Sequence, residues 1–280
     1  MKIVKNLIFY LIVIVLLVLI GKYSYKVYAE YKDNTANIEI RDDISESIVF
    51  IEDVVYVPGD YDDSIFPTDI IEELKKNPDE YELTNPESSK FISADFDALK
   101  AENEETVAWL YVPGTAINYS VVQTVDNDHY LKYNFKNEKN RAGWIFGDYR
   151  SNFDKLNRNT VIYGHNQLDK SMFGSLSKLI TEKNWFDDPE HKYVYLATPK
   201  ASYVFEVVSV YSTNDNKYIK HGLYNDETYQ EFIDYILSKN TISGLSKDVD
   251  TGDKILTLST CYSKMRLSVQ CKLIRTKLTR

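Results

Sequence analysis

At 280 residues the chain has room for one well-filled core of about 150–200 residues plus extensions. A content of 44% hydrophobic residues with 23 tyrosines excludes a disordered chain and favours a sheet-rich globular fold. The formal charge of −9, with only Lys272 to Arg280 locally basic, excludes nucleic acid as a partner, because a polyanion needs a clustered basic footprint. Two cysteines, Cys261 and Cys271, exclude a disulfide-built scaffold, so each thiol needs its own explanation.

Leu7 to Ile20 form an unbroken apolar run bracketed by Lys2, Lys5 and Lys22. Ile3, Val4, Asn6 and Gly21 bring it close to the ~20 residues that span a hydrocarbon core. The expectation is a retained membrane anchor over 1–28. A secretory signal cleaved after Val27-Tyr28-Ala29 is the alternative. In either case the rest of the chain is expected outside the cell, since no second hydrophobic run returns it. From 29 to 90 the sequence is acidic, with Asp42-Asp43, Glu52-Asp53, Asp60 and Asp62-Asp63 around the β-rich stretch Ile48 to Val57, and reads as an irregular extracellular spacer. Within it, Thr68 to Lys76 predicts a short helix, capped by Thr68 and stopped before Pro78. A second helix is expected from Ser93 or Asp95 through Glu102, amphipathic through Phe96 and Leu99.

Short β-patterned runs and turn signals recur from Val107 onward. Ala108 to Val112 and Ile117 to Val122 flank the turn Pro113-Gly114-Thr115. Further strands are expected at Gly143 to Phe146, Thr160 to Tyr163, Lys192 to Ala197, Ala201 to Tyr211, Lys254 to Thr260 and Arg266 to Arg275. Helices are expected at Ser171 to Ile180 and Asp226 to Lys239. Many strands with few helices predict a closed or nearly closed β-barrel with helical decorations.

The last two strands form a hairpin pattern whose register follows from its chemistry. Pairing Cys261 with Arg266 sets Ser259 opposite Ser268, Leu258 opposite Val269 and Leu256 opposite Cys271. Leu256, Leu258, Leu267, Val269, Cys271 and Leu273 then share one face, and Thr257, Ser259, Cys261, Arg266, Ser268 and Gln270 the other. Cys271 joins the core, whereas Cys261 sits on the polar face at a strand end beside a cation, the setting that favours a nucleophilic thiolate. The two thiols would lie roughly 16 Å apart, beyond disulfide reach. Such a thiolate needs a proton donor for its leaving group, usually a histidine. His129, His191 and His221 fall in polar turns and read as solvated. His165 differs, because it ends the β-run Thr160 to Tyr163 and shares a face with Val161 and Tyr163.

These residues carry a resemblance. Thr257-Leu-Ser-Thr-Cys261 with Arg266 on the next strand, and Thr160-Val-Ile-Tyr-Gly-His165-Asn, resemble the signature of sortases, class B in particular. Asp95-Phe-Asp-Ala-Leu, Trp109-Leu-Tyr-Val-Pro-Gly, Ile117-Asn-Tyr-Ser-Val-Val-Gln123, Gly143-Trp-Ile-Phe-Gly-Asp-Tyr-Arg150 and Ser171-Met-Phe-Gly also resemble class B segments, in the same order. The resemblance covers about Asp95 to Leu278 and places a catalytic domain over 91–280. It implies a closed eight-stranded sortase-type barrel with N-terminal helices and a helix between late strands. It further implies a membrane-anchored cysteine transpeptidase that cleaves a C-terminal sorting signal of NPxTx or PxTG type after its threonine. The resulting thioester on Cys261 would pass to a peptidoglycan amine.

Under the same resemblance Cys261 is the nucleophile, His165 the acid and Arg266 the oxyanion partner, with no metal or cofactor. Asn127, Leu131, Tyr163, Ser259, Tyr218 and Ile219 match substrate-groove positions. Its partners would be surface proteins bearing the signal, the wall amine and the membrane. One departure concerns the Cys261-to-Arg266 connection, which has only four intervening residues, short for class B, so one groove wall is trimmed. Arg275, nine residues further along the strand and roughly 30 Å away at ~3.3 Å per residue, is too distant to replace Arg266. Alternatives of other kinds are pilin polymerisation onto a partner's lysine, a wall cysteine peptidase, and a non-catalytic anchored binding protein.

Overall fold

The chain opens on a single long helix, α1 (Lys2–Ser45), in which no proline occurs and Gly21 is the one glycine. The computed structural model describes residues 2–52, 90–223, 225–262 and 264–278. The apolar part of α1 is exposed along its length, and the helix is long and apolar enough to cross a bilayer. Its continuation differs from the sequence expectation. Where an irregular spacer was expected from residue 29, the helix runs on to Ser45 and buries Asn34, Asn37, Ile40 and Ile44 against the barrel. Those four positions form one helical stripe, but two of them are asparagines, which a hydrophobic-period reading counts as polar. The helix expected at Thr68 to Lys76 lies outside the described residues.

After α1, β1 (Ile48–Glu52) pairs antiparallel with β2 (Lys90–Ala94), setting Ile48 opposite Ala94. Helix α2 (Phe96–Glu102) follows, its first turn capped by the Asp95 carboxylate, which accepts from the Ala98 amide at 3.0 Å. Phe96 and Leu99 are its buried face.

Eight strands then close into a barrel: β3 (Thr106–Tyr111), β4 (Asn118–Val122), β5 (Phe146–Gly147), β6 (Asn159–Tyr163), β7 (Tyr193–Ala197), β8 (Ala201–Thr213), β9 (Ile255–Tyr262) and β10 (Met265–Leu278). The order around the wall is β10-β8-β7-β3-β4-β5-β6-β9. Most neighbours are antiparallel; β4 with β5 and β6 with β9 are the parallel pairs. Closure removes the exposed strand edges an open sheet would present. The expected helix at Ser171 to Ile180 is instead a 3-10 turn, Gly174–Ser177, leading into the short α3 (Lys178–Thr181). Met172, at φ +49°, bridges Asn166, and this holds the start of that segment out of a helical path.

Two apolar clusters divide the interior. The main core fills the barrel and takes Leu256 and Leu258 from β9 with Leu267, Val269 and Cys271 from β10. The second lies outside the wall, where α4 (Asp226–Lys239) applies Tyr229, Phe232, Ile233 and Ile236 to Tyr211, Tyr218 and Ile255. Asn225 caps α4 by accepting from the Thr228 amide at 2.9 Å, and Asp226 and Glu227 in the first turn suit the helix dipole. The β8–α4 connection and α4 therefore roof the outer, polar face of β9 and β10 and leave only its end open. Thr257, Ser259, Ser268 and Gln270 are consequently buried in a polar layer, in which Thr257 Oγ1 lies 2.6 Å from both Asn159 Oδ1 and Gln270 Oε1, its single hydrogen serving one of the two.

Candidate active site

The β9–β10 ladder has the register its chemistry predicts: Arg266 faces Cys261, Ser268 faces Ser259, Val269 faces Leu258 and Leu256 faces Cys271. Tyr262 and Met265 form its last rung, so the strands continue past Cys261 and their ends are only two residues apart in sequence. This register makes Cys261 and Arg266 direct cross-strand neighbours. Arg266 Nη1 donates to Cys261 Sγ at 2.7 Å, and both side chains are exposed. Cys271 is buried, and burial followed by the nearby Glu206 charge pushes its thiol far up. Arg275 lies over the Phe91 ring, 4.7 Å from its centroid, well down β10.

His165 reaches this end of the sheet from β6. The parallel ladder sets Tyr163 opposite Ser259, and the Gly164 amide donates to the Ser259 carbonyl at 3.3 Å. His165 follows two residues past the end of β6, and Cys261 stands two residues past Ser259 on β9, so both lie beyond the last rung of this ladder. His165 Nε2 lies 3.0 Å from the Leu131 carbonyl oxygen. A carbonyl only accepts, so Nε2 carries the hydrogen, and in the neutral ring Nδ1 is left to exchange a proton. The ring is held closely: Gly143, at φ +60°, packs where any Cβ would strike the Tyr130 carbonyl and come within 3.0 Å of His165 Cδ2.

Beside this trio a buried carboxylate gathers several groove candidates. Asp148 is fully buried and follows β5. Its Oδ2 accepts from Tyr163 Oη at 2.9 Å, Asn127 Nδ2 at 2.9 Å and Arg150 Nη2 at 2.7 Å. Its Oδ1 accepts from Arg150 Nε at 2.8 Å and the Arg150 amide at 2.9 Å. His221 Nε2 stands 3.4 Å from Oδ2 without the alignment of a formed hydrogen bond. Burial alone would raise this carboxyl, but Arg150, His221 and Asn127 together hold it well below the usual carboxylate range. Burial, then the Asp148 charge, pushes the Tyr163 phenol far up.

Asn127 and Tyr163 are half-buried and meet at Asp148, and Leu131 is half-buried at the backbone that holds His165. Ser259 and Tyr218 are buried and bonded to each other, Oγ donating to Oη at 3.1 Å, so they underlie the site and do not line it openly. The Tyr218 phenol is raised chiefly by burial. Ile219 packs against the second apolar cluster. Of the histidines read as solvated, His129 stacks on Tyr133 and His191 on Trp185. His221 stands beside a buried charge. Asp148, Arg150 and His221 are the members that sequence reasoning missed. Asp148 lies in the segment Gly143 to Arg150, whose residue types advertise no chemistry.

A model of the sortase domain matches residues 110–274. Sortase B of Listeria monocytogenes is 37% identical over 183 residues, covering 63% of this chain and 72% of that one. Among solved structures, sortase B from Bacillus anthracis in complex with AAEK1 superimposes with a TM-score of 0.65 at 32% identity, covering 88% of this chain and 99% of that one. A Staphylococcus aureus sortase B–substrate complex gives 0.59 at 31% identity, with 74% and 92% covered.

Proposed function

Since the chain belongs to the sortase family, and within it to the class B cysteine transpeptidases, we propose that Cys261, His165 and Arg266 carry its reaction. The observation behind this assignment is the rung that fixes Arg266 Nη1 at 2.7 Å from Cys261 Sγ, with His165 carried two residues past the end of β6, the strand beside β9. The substrate is a surface protein whose C-terminal sorting signal, of NPxTx or PxTG type, is cut after threonine.

The Cys261 thiolate attacks the threonine carbonyl carbon, and the new C–S bond moves charge onto the carbonyl oxygen. Arg266, already against the sulfur, stabilises that oxyanion. As the threonine C–N bond breaks, the imidazolium of His165 gives its proton to the departing amine. The acceptor, a peptidoglycan amine, then attacks the thioester while His165 takes back a proton, and the C–S bond breaks to restore the thiolate. Asn127, Leu131, Tyr163, Ser259, Tyr218 and Ile219 form or support the peptide groove.

The N-terminal part of α1 anchors this machinery in the cell membrane with the barrel outside the cell. Between Gly21 and Asp33 the helix rises about 20 Å, at ~1.5 Å per residue, before it docks on the barrel, so the anchor and the enzyme are joined without a hinge in the helix. The test is mass spectrometry of products from the full chain in detergent, given sorting-signal peptides and several amines. Peptide cut after threonine and joined to the amine supports the reading. Amine-independent cleavage of wall stem peptides alone would replace it with a peptidase.

A further inference from the structure

Tyr163 and Asn127, from different parts of the chain, turn their polar ends onto one carboxylate oxygen, Asp148 Oδ2, at 2.9 Å each. A tyrosine hydroxyl has one hydrogen, and here it is spent on Asp148. Whatever approaches Tyr163 Oη from the open side meets lone pairs only. An asparagine amide has two N–H groups; one is taken by Asp148, and Oδ1 accepts the Tyr149 amide at 3.0 Å, so one N–H remains. Both side chains are half-buried and retain access to solvent. The carboxylate does this only while it is an acceptor on both oxygens, and the bidentate Arg150 keeps it so. The groups facing Asp148 are Arg150, His221, Tyr163 and Asn127, and among the described residues no second acid stands in contact with it to share a proton.

We infer that Asp148 is a positioning residue that fixes the hydrogen-bonding polarity of the peptide groove, making Tyr163 an acceptor and Asn127 a donor. The ligand matched by that pair is an extended peptide backbone, which offers an N–H to Tyr163 Oη and a carbonyl to Asn127 Nδ2. The site lies beside the chemistry: Tyr163 precedes His165 by two residues at the end of β6, and the chain from Asn127 leads to Leu131, whose carbonyl holds the His165 ring. This inference rests on the proposed transpeptidase reading and adds to it a residue that does not touch the reacting atoms.

The experiment uses the full chain in detergent, a cleavable sorting peptide, and a set of analogues in which each backbone N–H in turn is replaced by an ester oxygen. Wild-type enzyme is expected to show one ester-sensitive position, with about tenfold lower kcat/KM carried mainly by KM. That sensitivity is expected to vanish in Tyr163→Phe and in Asp148→Asn, because an amide at 148 no longer demands the phenol hydrogen. Tyr163→Phe and Asp148→Asn are also expected to be non-additive, the double variant being no more than about threefold worse than the poorer single. Should Asp148→Asn not fold, Tyr163→Phe against the ester series decides the matter alone. A wild-type enzyme that cleaves peptide with no ester-sensitive position, or a sensitivity that survives in Tyr163→Phe, overturns this inference and leaves the transpeptidase reading intact. Absence of any cleavage by wild type overturns both.

Discussion

Cys261 and Arg266 occupy one rung of an antiparallel ladder, with the guanidinium 2.7 Å from the sulfur and the Tyr262–Met265 pair closing the ladder one rung beyond. The contact thus depends on strand register and not on a flexible loop. Cys261→Ala is expected to abolish turnover, and Arg266→Ala to lower kcat by about 10²–10³-fold, the usual cost of removing one oxyanion donor. Arg266→Lys should fall between, since a point charge replaces a planar fork. Both Cys261 and Arg266 are exposed, so thermal unfolding should move by less than about 0.5 kcal/mol. Steady-state kinetics beside melting curves check this. An Arg266→Ala enzyme with full kcat would remove the oxyanion role.

The second thiol should behave in the opposite way. Cys271 is buried in the barrel core opposite Leu256. Cys271→Ala is expected to lower stability by about 1 kcal/mol and leave kcat per folded molecule unchanged. Counting thiols with an alkylating reagent gives a second measure: one label in the native protein, at Cys261, and two after unfolding. Rapid labelling of both in the native state would contradict the assignment.

The hairpin was legible because its two strands alternate strictly and meet at a short turn, so one register alone sorts apolar from polar side chains. His165 was legible for a related reason, as the end of a β-run with a face. Asp148 was not. Its importance comes from donors at Asn127, Arg150 and Tyr163, and from His221 close by, brought together by barrel closure, and its own neighbours in sequence carry no periodic signal. The polar face of β9 and β10 was sorted as a face, but its burial under the β8–α4 segment depends on packing that register cannot supply. Likewise the docking stripe of α1 escaped notice because Asn34 and Asn37 serve where leucines would be expected.

That stripe carries its own prediction. Asn37 donates to the Gly143 carbonyl at 2.8 Å, and its Oδ1 accepts from Asn140 Nδ2 at 2.9 Å; Asn140 also reaches the Asp33 carbonyl at 2.9 Å. Asn37→Ala leaves a buried carbonyl without that donor and costs about 1–3 kcal/mol. A chain beginning at 29 retains all of these contacts, whereas one beginning at 90 loses Ile40 and Ile44 as well. The shorter chain should therefore melt lower than the one from 29. Because Gly143 abuts the His165 ring, it should also show a weaker kcat. Equal melting of the two would mean the helix contributes nothing to the barrel.

Acid stability follows from Asp148. Its carboxyl is held below the ordinary carboxylate range in the fold, so on acidification the unfolded chain takes up the proton first, at about pH 4. The stabilisation is fully present well above that value and is lost progressively as pH falls toward the native value. At neutral pH, Asp148→Asn should melt below wild type, because Arg150 and His221 lose their anionic partner. Between pH 5 and pH 3 that gap should narrow, as wild type loses what the variant never had. Melting temperatures of both proteins across pH 7 to 3 measure it. A gap that stays constant or widens on acidification would show that the carboxylate charge is not what holds Tyr163, Asn127 and Arg150 together.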